Sequence, residues 1–147
     1  MRFIILTLLS LVFSTSIFAE VRMIPLNEYR KQQNSNDPSV LFYVFARCGA
    51  INFNVADVSK NRKEIYERTT LVSETFSQMA VEIRQKLQPY DSSEVNQRKA
   101  VRSISTIANE YVEIMNDHYT KTGSYFTDWM MDDLSLCSAT YDSYMRD

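Results

Sequence analysis

The sequence predicts an all-α protein, a single-domain up-and-down bundle of about four helices with one disulfide linking the first and last main helices. Only two glycines and three prolines occur in 147 residues, too few for the many tight turns of an all-β fold. Apolar residues recur at steps of three and four in four successive segments, which is the period of an amphipathic helix. The only two cysteines, Cys48 and Cys137, lie on the apolar stripes of the first and last of these segments.

The first nineteen residues have the pattern of a secretory signal peptide. A positively charged start and an apolar run precede Ala19, a small residue suited to cleavage. The run is short and rich in Ser and Thr, which disfavours a membrane span. We therefore expect residues 1–19 to be a signal peptide and residues 20–147 to form one helical domain. Such a protein would be periplasmic or secreted, with no stable membrane insertion after signal removal.

A brief helix is predicted over residues 27–33, and the first main helix over residues 38–60. Asp37 is a suitable N-cap, and Pro38 fits the first helical position, where a missing N–H is tolerated. Apolar residues, among them Phe53, also lie on the other sides of this helix, so we expect it to be the most enclosed helix of the bundle.

Two features of this first main helix need a structural explanation. The continuous, partly β-branched run over residues 40–45 would also suit a strand, but no other segment offers it a partner. We therefore assign this run to the helix. Gly49 lowers helix stability, and we expect that a neighbouring helix approaches closely there.

The second main helix is predicted over residues 62–88, where the amphipathic pattern is clearest. Asn61 and Glu64 have the spacing of a capping box, with Asn in place of Ser or Thr. The third is predicted over residues 92–121 and should end at Gly123, a suitable C-cap. Its start repeats the capping spacing, with an acidic residue at position 91 as the cap.

The last helix is predicted over residues 127–145. Asp128, Asp132 and Asp133 crowd its first turns, where the helix dipole favours negative charge. The same cluster could bind a divalent cation, but a calcium site usually includes loop carbonyls and a glycine turn, and both are missing here. We interpret the cluster as dipole complementarity and predict no metal site.

The two cysteines predict a structural disulfide. Helices joined by short loops pack antiparallel, so the first and last main helices should lie side by side. A Cys48–Cys137 bond would join them and close a loop of 137 minus 48, or 89, residue steps. The chain-entropy model gives such a closure about 4–5 kcal/mol of stabilisation. A redox-active pair would usually lie close together in the sequence.

No catalytic or cofactor-binding motif is present in the sequence. His118 is the only histidine, and although acidic residues precede it, no second catalytic partner accompanies it. Its place near a helix C-terminus is favourable for a positive charge. The basic residues among positions 60–63 are too few for a phosphate-binding patch and suit a solvated turn. We predict no catalytic residues and no cofactor.

The aromatic residues Tyr125, Phe126 and Trp129 form the candidate interface, because tyrosine and tryptophan are enriched at protein contacts. The net charge of −2 gives no support for nucleic-acid binding. The main hypothesis is a small exported binding protein, such as an inhibitor, an immunity-type factor or an envelope adaptor, with another protein as its partner. The alternative is a carrier of a small apolar ligand in the bundle core, and the third is an enzyme of unknown class.

Overall fold

The computed structural model describes residues 23–34 and 36–146. The predicted signal peptide, residues 1–19, lies outside these ranges. The described residues form five helices and no strand: α1 (Leu26–Gln32), α2 (Pro38–Val58), α3 (Lys63–Leu87), α4 (Ser93–Thr122) and α5 (Asp128–Tyr144). The predicted all-α bundle is confirmed. Both ends of each predicted main helix lie within two residues of the observed boundaries. The brief helix predicted near the N-terminus is α1.

Helix α2 is the central element of the bundle. It contacts α3, α4 and α5, and seven consecutive positions, 46–52, are buried. Seven positions are nearly two helical turns, so α2 is covered on all sides there, as predicted. Among the described helices, α2 alone is long and apolar enough to cross a membrane. However, 61% of its most apolar window is buried inside the bundle, and a helix that fills a protein core has the same properties.

Gly49 lies at a close contact between α2 and α3. A Cβ atom on Gly49 would lie 3.1 Å from Ser77 Oγ and 3.5 Å from the backbone oxygen of Ser73. The Ser73 hydroxyl donates to the backbone oxygen of Gly49 at 2.9 Å. The ring of Phe45 packs 5.9 Å from that of Phe76. The predicted close approach is therefore confirmed. Because position 45 lies opposite 76 and position 49 lies opposite 73, α2 and α3 run antiparallel.

Two helix ends follow the predicted chemistry, and a third has a cap that the sequence analysis did not identify. The Asp37 carboxylate accepts the backbone N–H of Ser39 at 2.8 Å and so caps α2. Gly123 ends α4 with φ of 76°, in the left-handed region where glycine carries no Cβ penalty. Thr127 caps α5 by accepting the backbone N–H of Met130 at 3.3 Å.

The predicted cap of α3 is wrong. The N-cap residue is Arg62, and no side chain caps this helix. The backbone N–H of Arg62 donates to the carbonyl of Ser59 at 2.7 Å, which closes a tight turn around Asn61. Asn61 therefore lies inside the turn, one residue too early to act as the cap.

The predicted cap of α4 is also one residue early. Ser92 is the N-cap, and its hydroxyl accepts the backbone N–H of Val95 at 3.3 Å. Asp91 instead forms an ion pair with Lys99 at 2.9 Å. The side-chain amide of Asn96 donates to the carbonyls of residues 88 and 91, which secures the turn between α3 and α4.

The predicted disulfide is confirmed. Cys48 on α2 and Cys137 on α5 are bonded, their Cα atoms lie 5.4 Å apart, and both side chains are fully buried. The core around them draws apolar side chains from every helix. The bond therefore joins α2 and α5 inside the core and not at its edge.

Replacing Cys48 and Cys137 together with alanine should lower the free energy of unfolding by about 2–5 kcal/mol, because the 89-residue loop is no longer closed in the unfolded chain. Urea unfolding followed by circular dichroism measures this difference. The wild-type protein unfolded with a reductant is the control and should approach the variant. Identical unfolding midpoints for the oxidised wild type and the variant would contradict a stabilising role.

Candidate functional site

A buried ion pair lies where α2, α4 and α5 meet. Arg47 on α2 is fully buried, Asp133 on α5 is 1% exposed, and the guanidinium Nη2 of Arg47 bonds to the carboxylate Oδ2 of Asp133. The hydroxyl of Tyr111 on α4 accepts from Arg47 Nε at 3.0 Å and donates to Asp133 Oδ2 at 2.9 Å. The three side chains thus form a closed triangle of hydrogen bonds.

The pair also forms hydrogen bonds with the backbone at the start of α1. The backbone N–H of Leu26 donates to Asp133 Oδ1 at 2.7 Å, and Arg47 Nη1 donates to the carbonyl oxygen of Ile24. Through these bonds the buried pair connects α1, α2, α4 and α5, which are four of the five described helices. Three aromatic rings also surround the guanidinium carbon of Arg47 at 5.5–5.8 Å, close enough for cation–π attraction: Tyr43, Tyr111 and Trp129.

The protonation of this cluster follows from its burial and its partners. Burial raises the pKa of the Asp133 carboxyl, while Arg47 and the Leu26 N–H act to lower it. Burial acts to lower the pKa of Arg47, but Tyr111 and Asp133 outweigh it and raise that pKa, so the guanidinium stays charged. Burial also raises the pKa of the Tyr111 phenol, which therefore remains a hydrogen-bond donor. The arrangement is suited to holding helices together.

The dipole interpretation of Asp133 is wrong. Its carboxylate is buried against Arg47 and does not face solvent at the helix start, whereas Asp128 does lie in the first turn of α5. The sequence did contain a signal for a buried partner of this carboxylate. Arg47 is a basic residue three positions after Val44 and four before Ile51, on the buried side of α2. Within residues 23–34 and 36–146, no group of three or more His, Cys, Asp or Glu side chains could hold a metal ion.

The three aromatics of the predicted interface lie in different environments. Tyr125 is 39% exposed, and its ring stacks on that of Tyr119 with centroids 4.3 Å apart. Phe126 and Trp129 are half-buried and pack against the core. The Trp129 ring lies 6.0 Å from that of Tyr111, so Trp129 belongs to the surroundings of the buried pair. Tyr125 is the exposed member of the three.

The remaining polar candidates, His118 and Lys60, make local contacts at helix ends. His118 Nδ1 lies 2.8 Å from the carbonyl oxygen of Ser124, where it closes the turn after α4. Lys60, in the basic turn between α2 and α3, pairs with Asp57 at 2.5 Å. Both contacts lie at helix ends and join residues close in sequence.

A groove of about 630 Å³ lies between the second half of α2 and the first half of α3. Phe53 on α2 is 58% exposed and Tyr66 on α3 is 40% exposed, and both rings line the groove. Asp57, Lys60 and Glu74 place charges around it. Aromatic side chains are enriched at protein contact surfaces, and the rim of such surfaces is polar. Phe53 and Val58 are the two exposed large hydrophobic residues of the otherwise enclosed α2, and the sequence does not distinguish them from the buried positions.

No protein-family model, no curated protein and no solved structure matches the chain. Any functional conclusion therefore depends on the geometry of the chain's own residues. Two features stand out in that geometry: the buried Arg47 cluster and the groove between α2 and α3.

Replacing Asp133 with alanine should lower the free energy of unfolding by about 3–5 kcal/mol, because it leaves the Arg47 charge buried without a partner. The matched control is Asp132→Ala, which removes an exposed carboxylate from the neighbouring position and should change stability by less than about 0.5 kcal/mol. Urea unfolding measures both. Removing both charges with Arg47→Met and Asp133→Leu should cost less than the two single losses combined. Equal losses for the two Asp→Ala variants would contradict the assignment.

Proposed function

We propose that this protein is a binding protein that holds another protein in the groove between α2 and α3. The observation that carries this proposal is the exposure of Phe53, a large aromatic side chain with 58% of its surface open to solvent beside the exposed ring of Tyr66. Large aromatic side chains dominate the binding energy of many interfaces, because they bury much apolar area with few rotatable bonds.

The scaffold behind the groove supports this proposal. The disulfide and the buried Arg47–Asp133 pair both connect α2 to α5, so the α2 wall is held by a covalent and an ionic link. The other wall is held by the close contact of Gly49 with Ser73 and Ser77 on α3. A surface that is rigid before binding loses little conformational entropy when a partner docks.

The proposed setting is an oxidising compartment outside the cytoplasm, either the periplasm or the extracellular medium. A buried disulfide is compatible with such a compartment, and the signal-like residues 1–19 provide the route of export. An inhibitor, an immunity-type factor or an envelope adaptor would each use a stable, disulfide-linked surface of this kind.

The size of the groove favours one alternative, a small apolar ligand. Ligand pockets commonly have volumes of about 300–1,000 Å³, and the groove has about 630 Å³. This alternative differs from the carrier considered from sequence, because the groove lies between two helices at the surface and not in the bundle core. Native mass spectrometry of gently purified protein would show the added mass of such a ligand.

Capture experiments with matched variants test the groove. The wild-type protein is immobilised and exposed to extract from the compartment to which it is exported. The Phe53→Ser variant should bind a specifically retained protein with an affinity at least about tenfold lower, since a central aromatic contact is worth roughly 2 kcal/mol. Leu71→Ser is the control, because Leu71 on α3 is 54% exposed but does not line the groove.

Tyr125→Ser is examined in parallel, because Tyr125 is the exposed member of the interface predicted from sequence. Loss of the partner with Tyr125→Ser and its retention with Phe53→Ser would move the contact surface to the start of α5. Equal retention by the Phe53, Leu71 and Tyr125 variants would contradict both surfaces.

A further inference from the structure

Residues 23–32, here called the N-terminal segment, attach to the bundle through two backbone hydrogen bonds and buried apolar side chains. The carbonyl of Ile24 accepts from Arg47, and the N–H of Leu26 donates to Asp133 at 2.7 Å. The Leu26 side chain is fully buried, and helix α1 packs against α5. The described contacts of this segment are therefore those of a short peptide lying in a cleft.

The receiving side of this cleft is organised by contacts that do not involve the segment. Arg47, Asp133 and Tyr111 bond to one another in a closed triangle. The disulfide between Cys48 and Cys137 lies next to Arg47 on α2 and one helical turn after Asp133 on α5, so it fixes the separation of these two helices. One donor on Arg47 and one acceptor on Asp133 thus remain directed at a peptide backbone.

The groups of the segment that the cleft contacts are a carbonyl acceptor and an N–H donor two residues apart, with a buried aliphatic side chain on the second residue. Pro25 lies between them with φ of −51° and ψ of 139°, close to the polyproline II conformation. The proline ring fixes φ before binding and so lowers the entropy that docking costs. An aliphatic–Pro–aliphatic segment has all of these features.

We propose that the cleft between α2, α4 and α5 is a peptide-binding site for aliphatic–Pro–aliphatic segments, which the chain's own residues 23–32 occupy. The segment joins α2 through the polar residues 33–37, a short tether that gives it a high effective concentration at the cleft. A free peptide of the same chemistry therefore competes only after the tether is cut. This site is separate from the groove between α2 and α3.

Cutting the tether without removing any residue tests the proposal. A protease recognition sequence is inserted between residues 33 and 34, which are both exposed, and the folded protein is cleaved there. A fluorescein-labelled peptide with the sequence of residues 21–32 is then added, and its anisotropy is measured. We expect the peptide to replace the cut segment with micromolar affinity, and to bind the uncut protein at least about 100-fold more weakly.

Variant peptides and variant proteins define the contacts. A peptide with Leu26→Ala should bind at least about tenfold more weakly, whereas Lys31→Ala, at an exposed position, should bind like the wild type. Asp133→Asn in the cut protein should also weaken binding at least about tenfold, because a neutral amide oxygen accepts the Leu26 N–H more weakly than a charged carboxylate does. Phe53→Ser in the cut protein should leave the peptide affinity unchanged, which separates this site from the groove.

Three results would overturn the proposal. The first is failure of the labelled peptide to enter the cut protein at millimolar concentration. The second is equal binding of the wild-type and Leu26→Ala peptides. The third is loss of the helical circular dichroism of α2–α5 when the cut segment departs, which would make residues 23–32 an integral part of the core and not a ligand of it.

Discussion

The Arg47–Asp133 ion pair is the interaction on which the arrangement of the helices depends. Two charges without access to water are tolerable only when they are paired and their remaining donors and acceptors are used. Here α2 supplies the cation, α5 the anion, α4 a phenol, and the backbone next to α1 a donor and an acceptor. A shift of α2, α4 or α5 would break the closed triangle of hydrogen bonds, so the pair specifies how these three helices pack.

Local chemistry made most of the fold predictable from the sequence. Asp37 before Pro38, Gly123 after an amphipathic stretch, and two cysteines on apolar stripes each have one favoured structural role, and each has it here. The caps of α3 and α4 were off by one residue, because the hydrogen bonds of the preceding turns decide the first helical residue, and spacing alone does not contain them.

The candidate sites were less predictable, because they depend on burial. Asp133 and Asp132 are adjacent acidic residues, yet one is buried against Arg47 and the other faces solvent. Trp129 and Tyr125 are neighbouring aromatics, but Trp129 packs on the core while Tyr125 is exposed. Phe53 has the same apolar character as the buried residues of α2 and yet opens onto the groove. The rotation of each helix against its neighbours decides the burial of the helical positions, whereas Tyr125 lies in the connection before α5.

The disulfide gives the chain the topology of a ring with two tails. Residues 48–137 form the closed ring, which contains all of α3 and α4, and a single break in the backbone between the two cysteines leaves one covalent molecule. The N-terminal tail carries α1 and the first half of α2, and hydrogen bonds of Ile24 and Leu26 hold the start of α1 in the bundle. Proteolysis therefore has unequal consequences along this chain: a cut within the ring releases no fragment, whereas a cut in the tail can set a piece free.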